Sequence, residues 1–504
     1  MRTVWQRASR RRGTVSRLRP PRSGAKRLRA PRGGAKRHCE AAKRSTAAAC
    51  VLGGLRRSFA AIAALAFAGV MVGPATALAQ QARPASTRVT FTRDVAPIFQ
   101  ARCQACHRPG TVAPMSLLTY QDARPWARAI KERVVRREMP PWHYDKTVGI
   151  QKLKGDISLT DEQIATIAAW VDAGAPMGDP KDMPRPLVFN DDVWTIGTPD
   201  LVITAPSDAV YAEGPDWWVN RNVDSGLTED RYIKAVETRV SKEGRPVVHH
   251  AIATLLQEES EPQSRRGGRT VLSGPVINID EGSYLSEYAV GKYGDIFPDG
   301  AGRVIRGGAE VRFNMHYHAV GKQTTATTSV GFVFYPRGEK PKRFITDVFP
   351  HENDTIDIPP GQMTRTDVYY SLPKAARLIG FQPHMHMRGK AMCMEAIYLD
   401  GSREMLSCVD RFDFNWHVMY TYQDDATPLL PKGTTIHLIA IHDNTATSRR
   451  NPDPTLWVGW GQRSIDDMAA AHINTEFMED ADFERAVAER KAQRGKTIAT
   501  QQQP

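Results

Sequence analysis

Acidic residues are almost absent from the first 79 positions, which hold 18 Lys and Arg against a single acid, Glu40. The rest of the 504-residue chain carries 50 basic and 54 acidic side chains, so the formal net charge of +13 belongs to the N-terminal segment. Overall basicity therefore gives no reason to expect nucleic-acid binding by the folded part. The sequence also lacks an internal repeat, a phosphate-binding glycine loop and a Gly-x-Ser-x-Gly elbow, which argues against solenoids, P-loop enzymes and α/β-hydrolases.

Charged residues are missing from positions 58–79, which follow Arg56-Arg57 and end in Ala77-Leu78-Ala79. A basic segment, an apolar run and a small-residue end predict an export signal over residues 1–79, cleaved to leave a periplasmic or secreted protein. The arginine pair partly matches a twin-arginine signal. Two alternatives stay open: the run is just long enough for a retained membrane anchor, or translation starts near Val51 and the preceding residues are an artefact.

Cysteine is scarce, with six in the chain and two of them in the leader. Cys393 and Cys408 flank Asp400-Gly401, a dipeptide that favours a tight hairpin turn. A turn centred there places the two cysteines opposite each other on paired strands, within reach of a disulfide. An oxidising compartment permits that bond, and two buried free thiols are the alternative.

Residues 80–185 have the pattern of a small all-α domain. Helices are predicted over residues 91–100, over about 122–137, and from a capping box of Thr160 and Gln163 to Gly174. Cys103-Gln104-Ala105-Cys106-His107 follows the first helix. In an exported protein this motif predicts covalent haem c, with both thiols bonded to the haem and His107 ligating the iron, so the domain is predicted to be cytochrome c-like. In a cytosolic chain the same cysteines would suit a redox or zinc site.

The sixth iron ligand is predicted to be Met139, because Pro140 and Pro141 end the preceding helix and fix the loop that presents its sulfur. Met115 and His143 are the competing candidates.

Past Pro184 the sequence alternates in short segments, at 247–255, 310–317, 328–335 and 435–441, with turn clusters at 298–300, 374–376 and 400–401. This pattern predicts antiparallel β-sandwiches, and the length favours two of jelly-roll type, over residues 190–338 and 339–478, with the boundary in 336–342. Residues 479–504 are predicted to be a polar tail, a helix followed by disorder. The predicted fold is therefore multidomain.

Histidines are clustered in the β region. His384 and His386 alternate on an extended segment and so share one face, as do His316 and His318. The adjacent pair His249-His250 can bind one ion only if its strand bulges or ends there. Imidazole suits several metals, but the thioether of Met468 would select Cu(I). Each of these residues taken alone would more often be a packing residue.

The order of these groups, together with Phe412-Asp413-Phe414-Asn415-Trp416 and Asp443-Asn444-Thr445, resembles the copper type II, ascorbate-dependent monooxygenases. That family includes peptidylglycine alpha-hydroxylating and dopamine beta-monooxygenase, and some bacterial members carry a cytochrome c domain in front. The resemblance covers roughly residues 190 to 478. It implies an electron-transfer copper on His249, His250 and His316, and an oxygen-binding copper on His384, His386 and Met468, which face each other across a solvent-filled cleft.

The resemblance implies hydroxylation of a substrate carbon by O2 and two electrons. The haem is expected to replace or supplement ascorbate as the reductant. A redox partner protein could supply electrons to the haem. The family's peptide-amidating members bind the substrate carboxylate with an arginine and a tyrosine, where this chain has Gln382 and His472. A peptidylglycine substrate is therefore not expected. The alternative function is an electron carrier or copper-binding protein without hydroxylase activity. His318, His437, His442 and His472 are expected to be supporting or core residues, with His318 as the substitute ligand for His316.

Overall fold

The computed structural model describes residues 88–109, 111, 113, 115–189, 194–257, 283–289, 292, 294–352 and 355–501. The leader, with its predicted cleavage site and the alternatives of an anchor and a later start, lies outside these residues, as do the last three positions of the tail. None of the helices described is long and apolar enough to cross a membrane.

The helices of the described chain lie at its two ends. They span Ala96–Arg102 (α1), Tyr120–Ala123 (α2), Ala127–Val135 (α3), Asp161–Asp172 (α4) and Asp480–Gln501 (α5), with a π-helical turn at Phe91–Val95 and 3-10 turns at Arg124–Trp126 and Pro180–Asp182. The capping box of α4 is confirmed, because Thr160 and Gln163 each bond the other's backbone N–H. The single helix predicted over 122–137 is wrong. Pro125 lacks an N–H donor, so a 3-10 turn separates α2 from α3.

The helices α1 to α4 pack around Phe91, Phe99 and Trp170, whose rings meet edge to face or tilted. The connection between α3 and α4 leaves this helical core. Trp142 and Leu153 are buried in the core of the second half of the β region, so this connection joins the helical core to the sheets.

The strands before residue 338 form the first half of the β region. They are Leu201–Thr204 (β1), Asp208–Val210 (β2), Trp217–Asp224 (β3), Arg231–Val240 (β4), Val248–Leu256 (β5), Ser283–Ala289 (β6), Asp295–Ile296 (β7), Ala301–Ile305 (β8), Glu310–Tyr317 (β9), Thr324–Ala326 (β10) and Thr328–Phe334 (β11). A sheet in the order β3-β9-β5-β6 packs on the part of a larger sheet ordered β1-β11-β4-β8.

The strands after residue 338 form the second half. They are Arg343–Val348 (β12), His351–Glu352 (β13), Asp357–Ile358 (β14), Met363–Ser371 (β15), Ala375–His384 (β16), Gly389–Ile397 (β17), Arg403–Val409 (β18), Tyr420–Thr421 (β19), Leu429–Leu430 (β20), Thr435–Asp443 (β21), Val458–Gly459 (β22) and Ala469–Met478 (β23). A sheet ordered β15-β21-β17-β18 packs on the remainder of the larger sheet, β12-β23-β16-β19.

The described chain is thus mostly β, and its two halves, each of two packed sheets, are compatible with β-sandwiches. The larger sheet runs through both halves, because β12 pairs in parallel with β8. The four predicted strand segments are confirmed within two residues at each end as β5, β9, β11 and β21. The turn predicted at 374–376 is displaced by two residues: β15 ends at Ser371, and Ala375 and Ala376 already pair with Met478 and Phe477 in β16.

The predicted hairpin is present between β17 and β18. Gly401 has a φ of 82°, which the turn requires and glycine adopts without strain. Cys393 lies directly opposite Cys408, and the two form a disulfide.

Candidate metal centres

The first histidine group lies where the start of β5 pairs with the end of β9. Val248 pairs with Tyr317 and His250 pairs with His316, so His249 is an extra residue in β5. The strand therefore bulges at His249, which is one of the two conditions under which the adjacent pair can bind one ion. The bulge removes the alternation that would send adjacent side chains to opposite faces, and it brings His249 and His250 to the same side of the sheet.

The ring nitrogens of this group converge. One nitrogen from each of His249, His250 and His316 lies within 4.8 Å of the others. The Nδ1 atoms of His249 and His250 are 3.1 Å apart, a separation that suits a shared ligand or proton. Nδ1 of His316 is buried and has no hydrogen-bond partner. Three convergent imidazoles with an orphaned nitrogen fit copper, zinc, iron or nickel.

Asp216 and Trp218 hold His316 in place. Nε2–H of His316 donates to one Asp216 oxygen at 2.9 Å, and the ring stacks on Trp218 with centroids 4.3 Å apart. This bond leaves Nδ1 as the deprotonated nitrogen, the arrangement in which a carboxylate orients a metal-binding imidazole. His318 bonds the other Asp216 oxygen through Nδ1 at 2.8 Å, with 61% of its side chain exposed. The structure therefore places His316, and not the competing His318, in the group.

The imidazoles of the first group are held neutral. Burial, followed by the nearby imidazoles of His417 and His316, lowers the pKa of His249 to about 3. Burial and the neighbouring histidines lower the pKa of His250 well below its ordinary value, and burial outweighs Asp216 in lowering the pKa of His316. Neutral imidazole is the form that binds a metal, so protons compete weakly for these ligands at pH 7.

The second group lies where β16 ends beside the start of β23. His384 pairs with Ala470, and continuing that register would set His386 opposite Met468. The rings of His384 and His386 have centroids 5.6 Å apart. Nδ1 of His384 is buried without a hydrogen-bond partner, and Nδ1–H of His386 donates to the Asp466 carbonyl at 3.2 Å, which leaves Nε2 for a ligand. Met468 is half-buried.

Asp467 ties the backbone of this second group together. Its Oδ1 accepts the backbone N–H of both His386 and Met468, each at 2.9 Å. His442 contacts the same segment, because its Nε2 lies 3.1 Å from the Met468 carbonyl and 3.2 Å from the Asp467 carboxylate. Burial opposes protonation of His442, but the Asp467 charge outweighs it and leaves the His442 pKa raised. The fully buried Asp467 thus positions two of the predicted ligands, and His442 supports it.

Two rings from the segment after β18 lie between the groups. Phe414 stacks on His249 with centroids 4.8 Å apart and meets His386 at 5.8 Å. His417 lies 5.5 Å from the His384 ring and 6.2 Å from the His250 ring. These two side chains lie within ring-contact distance of both groups, and the solvent-filled cleft that the resemblance implies stays a prediction.

Residues at the substrate position of the resembled family take part in an internal network. Gln382 donates to Glu287, and Lys292 lies 3.9 Å from the same carboxylate. His472 is clamped between Tyr284 and Phe349, with centroid distances of 4.3 and 4.4 Å. Burial opposes ionisation of Glu287, but Lys292 and nearby imidazoles keep its pKa below the ordinary value. A buried, ionised carboxylate therefore lies beside Gln382.

Three of the predicted haem residues, Cys103, Cys106 and His107, directly follow α1. His107 donates Nδ1–H to the Met115 carbonyl at 3.2 Å, which leaves Nε2 available to a metal. Cys103 and Cys106 lie outside the disulfide, and burial raises the pKa of Cys103 to about 12. These donors suit a haem with an axial histidine. The competitor Met115 packs on the same helical core as Cys103.

Met139 lies in the connection between α3 and α4. It lines a cavity with Val134, Trp142, Leu159 and Arg411, and neither Cys103 nor His107 contributes to the lining of that cavity. The competitor His143 is buried, and its backbone N–H donates to the Tyr420 hydroxyl. The structure therefore brings Cys103 and His107 together but does not show the sixth ligand beside them.

Sequence reasoning missed His417, Asp216 and Asp467. His417 directly follows the Phe-Asp-Phe-Asn-Trp segment that carries part of the resemblance, so that segment was the available signal. Asp216 is 100 positions from His316, and no spacing pattern links them.

No family model matches the chain, and no curated protein matches it. Solved structures of infectious bursal disease virus align over much of it. One, of the Gx strain, has 9% identity over 60% of this chain and 86% of that chain, with a TM-score of 0.14. Another, of the VP2 subviral particle, has 9% identity over 57% and 84%, with a TM-score of 0.14. Scores this low do not relate the folds.

Proposed function

We propose that the chain is an exported haem-copper monooxygenase that hydroxylates a C–H bond of a small organic substrate with O2 and two electrons. The observation that carries the proposal is that the two histidine groups lie close together, with a single side chain between the rings of one group and those of the other. One group consists of imidazoles, and the other adjoins Met468. The arrangement provides one nitrogen-only centre and one centre that can include sulfur.

His249, His250 and His316 would hold the electron-transfer copper, and His384, His386 and Met468 the oxygen-binding copper. Copper would supply reduction of O2 and transfer of the second electron. The protein keeps the imidazoles neutral by burial, so they are ready to bind. Asp216 and the Asp466 carbonyl fix which nitrogen of His316 and of His386 faces the ligand.

Residues 80–185 would be the electron-donor domain, cytochrome c-like, with Cys103, Cys106, His107 and Met139 holding one haem c. A contact between the connection after α3 and the second β half supports this role. Trp142 meets Tyr420 with ring centroids 5.0 Å apart, and Tyr420 pairs with Phe381 on β16, the strand that ends in His384. Ascorbate or a redox partner protein would supply electrons from outside. The β halves would be jelly-roll-like sandwiches over residues 190–338 and 339–478, in a periplasmic or secreted protein.

The substrate is unlike a peptidylglycine. Glu287, with Gln382 and Lys292, fills the position at which the resembled family binds a substrate carboxylate. A second carboxylate brought there would meet a buried negative charge, which is unfavourable. A substrate without a carboxylate next to the reacting carbon fits this site better.

The test has two stages. Fully reduced protein is mixed with O2 in a stopped-flow spectrometer, and haem and copper are expected to be oxidised together; a haem that stays reduced would remove its donor role. Small neutral and cationic aromatic or aliphatic compounds are then offered with 18O2, and labelled hydroxylated product is expected from the wild type but not from His384→Ala. Electron transfer without label in any product would favour the electron carrier or copper-binding protein instead.

A further inference from the structure

Arg388 is a buried cation in the turn between β16 and β17, two residues after His386. Only 1% of it is exposed. Burying a charged side chain is costly unless its hydrogen-bonding groups find partners inside the protein. A guanidinium carries five N–H donors in a rigid planar fork, so its acceptors show which segments this arginine holds in place.

The acceptors of the Arg388 guanidinium come from three places along the chain. Nη1 donates to the Ile465 carbonyl at 2.8 Å, Nε to Oδ1 of Asn444 at 2.9 Å, and Nη2 to the Asp453 carbonyl at 3.2 Å. Asn444 directly follows β21, Asp453 lies between β21 and β22, and Ile465 lies between β22 and β23. One side chain therefore ties the turn after β16 to both connections that flank β22.

The Ile465 carbonyl lies just before the residues that complete the second group. The next carbonyl, that of Asp466, accepts Nδ1–H of His386 at 3.2 Å, and Oδ2 of Asp467 accepts the backbone N–H of Arg388 at 3.1 Å. Three successive residues are thus bonded to the turn that carries His386. The side chain of Ile465 is 48% exposed, so apolar packing does little to hold this segment.

Asn444, the acceptor of Nε, is itself held firmly. It is fully buried, and its Nδ2 donates to the carbonyls of Pro359 at 3.0 Å and Leu456 at 2.8 Å. Its Oδ1 also accepts from Asn451 at 2.8 Å. The fork of Arg388 is therefore fixed at Nε by a rigid partner, and it transmits that rigidity to Ile465 through Nη1.

We propose that Arg388 is a positioning residue for the second centre, which sets the distance between the Met468 sulfur and the imidazoles of His384 and His386 without itself touching metal or substrate. This inference rests on the proposed function. A thioether favours Cu(I), so the arginine would set how strongly this centre prefers the reduced ion. Lysine cannot replace it, because an ammonium lacks the planar fork that reaches three fixed acceptors.

The test uses full-length His249→Ala/His250→Ala protein, in which copper is confined to the second centre. Copper X-ray absorption of the Cu(I) form detects bound sulfur, and competition with a chromophoric chelator measures Cu(I) affinity. Adding Arg388→Lys should remove the sulfur contribution and weaken Cu(I) binding by about 10–100-fold. Cu(II) binding should weaken less, so the reduction potential should fall.

Arg303→Lys is the matched control. Arg303 is also buried, with 8% exposed, and it donates to the carbonyls of Ile345, Tyr284 and Leu285, none of which adjoins Met468. The control should keep the copper–sulfur contribution even if it destabilises the fold by as much as Arg388→Lys. Thermal unfolding measures that loss in each variant.

If Arg388→Lys does not fold, Asn444→Ala provides the same readout, because it removes the acceptor of Nε. Unchanged sulfur contribution and Cu(I) affinity in the folded variant would overturn the inference while leaving the proposed function intact. Equal loss of sulfur in Arg303→Lys would do the same. Failure of the second centre to bind copper when Arg388 is present would remove both.

Discussion

Removing the Asp216 carboxylate tests how the first centre is built. In Asp216→Ala, Nε2–H of His316 loses its acceptor at 2.9 Å, and the ring is no longer restricted to the tautomer with Nδ1 free. Removing a carboxylate that orients a metal-binding histidine typically costs 10–100-fold in affinity, which is about 1.4–2.7 kcal/mol. Asp216 is about one-third exposed, so the substitution leaves no large cavity.

The assay is competition for Cu(I) with a chromophoric chelator of known affinity, with the two centres separated by a His384→Ala background. Asp216→Ala should weaken copper binding by 10–100-fold, and Asp216→Asn by less, because its amide oxygen can still accept from Nε2. His318→Gln is the matched control, since His318 bonds the same carboxylate but is mostly exposed. It should change affinity less than threefold. An unaffected Asp216→Ala, or a His318→Gln as damaging as His316→Gln, would refute the assignment.

Three further outcomes are expected. The depressed pKa of His249 means that the unfolded state binds a proton below pH 6.5 that the apo folded state does not. Calorimetry should therefore show stability present at pH 7 and falling by about 2 kcal/mol from this residue by pH 5, and an apo-protein equally stable at both values would contradict the burial of the group. Replacing Cys393 and Cys408 with serine opens a link of sequence separation 15 and should cost about 3 kcal/mol in denaturant unfolding; a midpoint unaltered under oxidising conditions would show that the bond is not formed. Met139→Ala should abolish a sulfur-to-iron charge-transfer band in the haem spectrum, whereas a band that survives points to Met115 or another sulfur.

Local signals in the sequence predicted local structure well. The capping box at Thr160 and the turn at Asp400-Gly401 each depend on residues within a few positions of one another. Pro125 was an equally local signal for the break between α2 and α3, and overlooking it produced the overlong helix.

Contacts between distant segments were not predictable in this way. The connection that buries Trp142 against the second β half is separated from Tyr420 by nearly 280 positions, and nothing in its own composition indicates a partner. The larger sheet that runs through both halves depends on the parallel pairing of β12 with β8, which periodicity within a strand does not reveal.

The candidate centres show the same difference between local and long-range signals. The ligand histidines stand out because they are clustered along the chain, but the residues that orient them do not. Asp216 and Asp467 act through single hydrogen bonds to residues brought close only by folding. The sequence did not indicate His417 for the same reason. A lone histidine is usually a packing residue, and the residues next to His417 in space come from β5 and β16.

Metal and haem analysis of periplasmically matured full-length protein tests the central claim most directly. About two copper ions and one covalently bound haem per chain are expected, with copper falling to about one in His384→Ala and in His249→Ala/His250→Ala. Zinc in place of copper, or copper content unchanged by both sets of substitutions, would contradict the existence of two copper centres on these histidines.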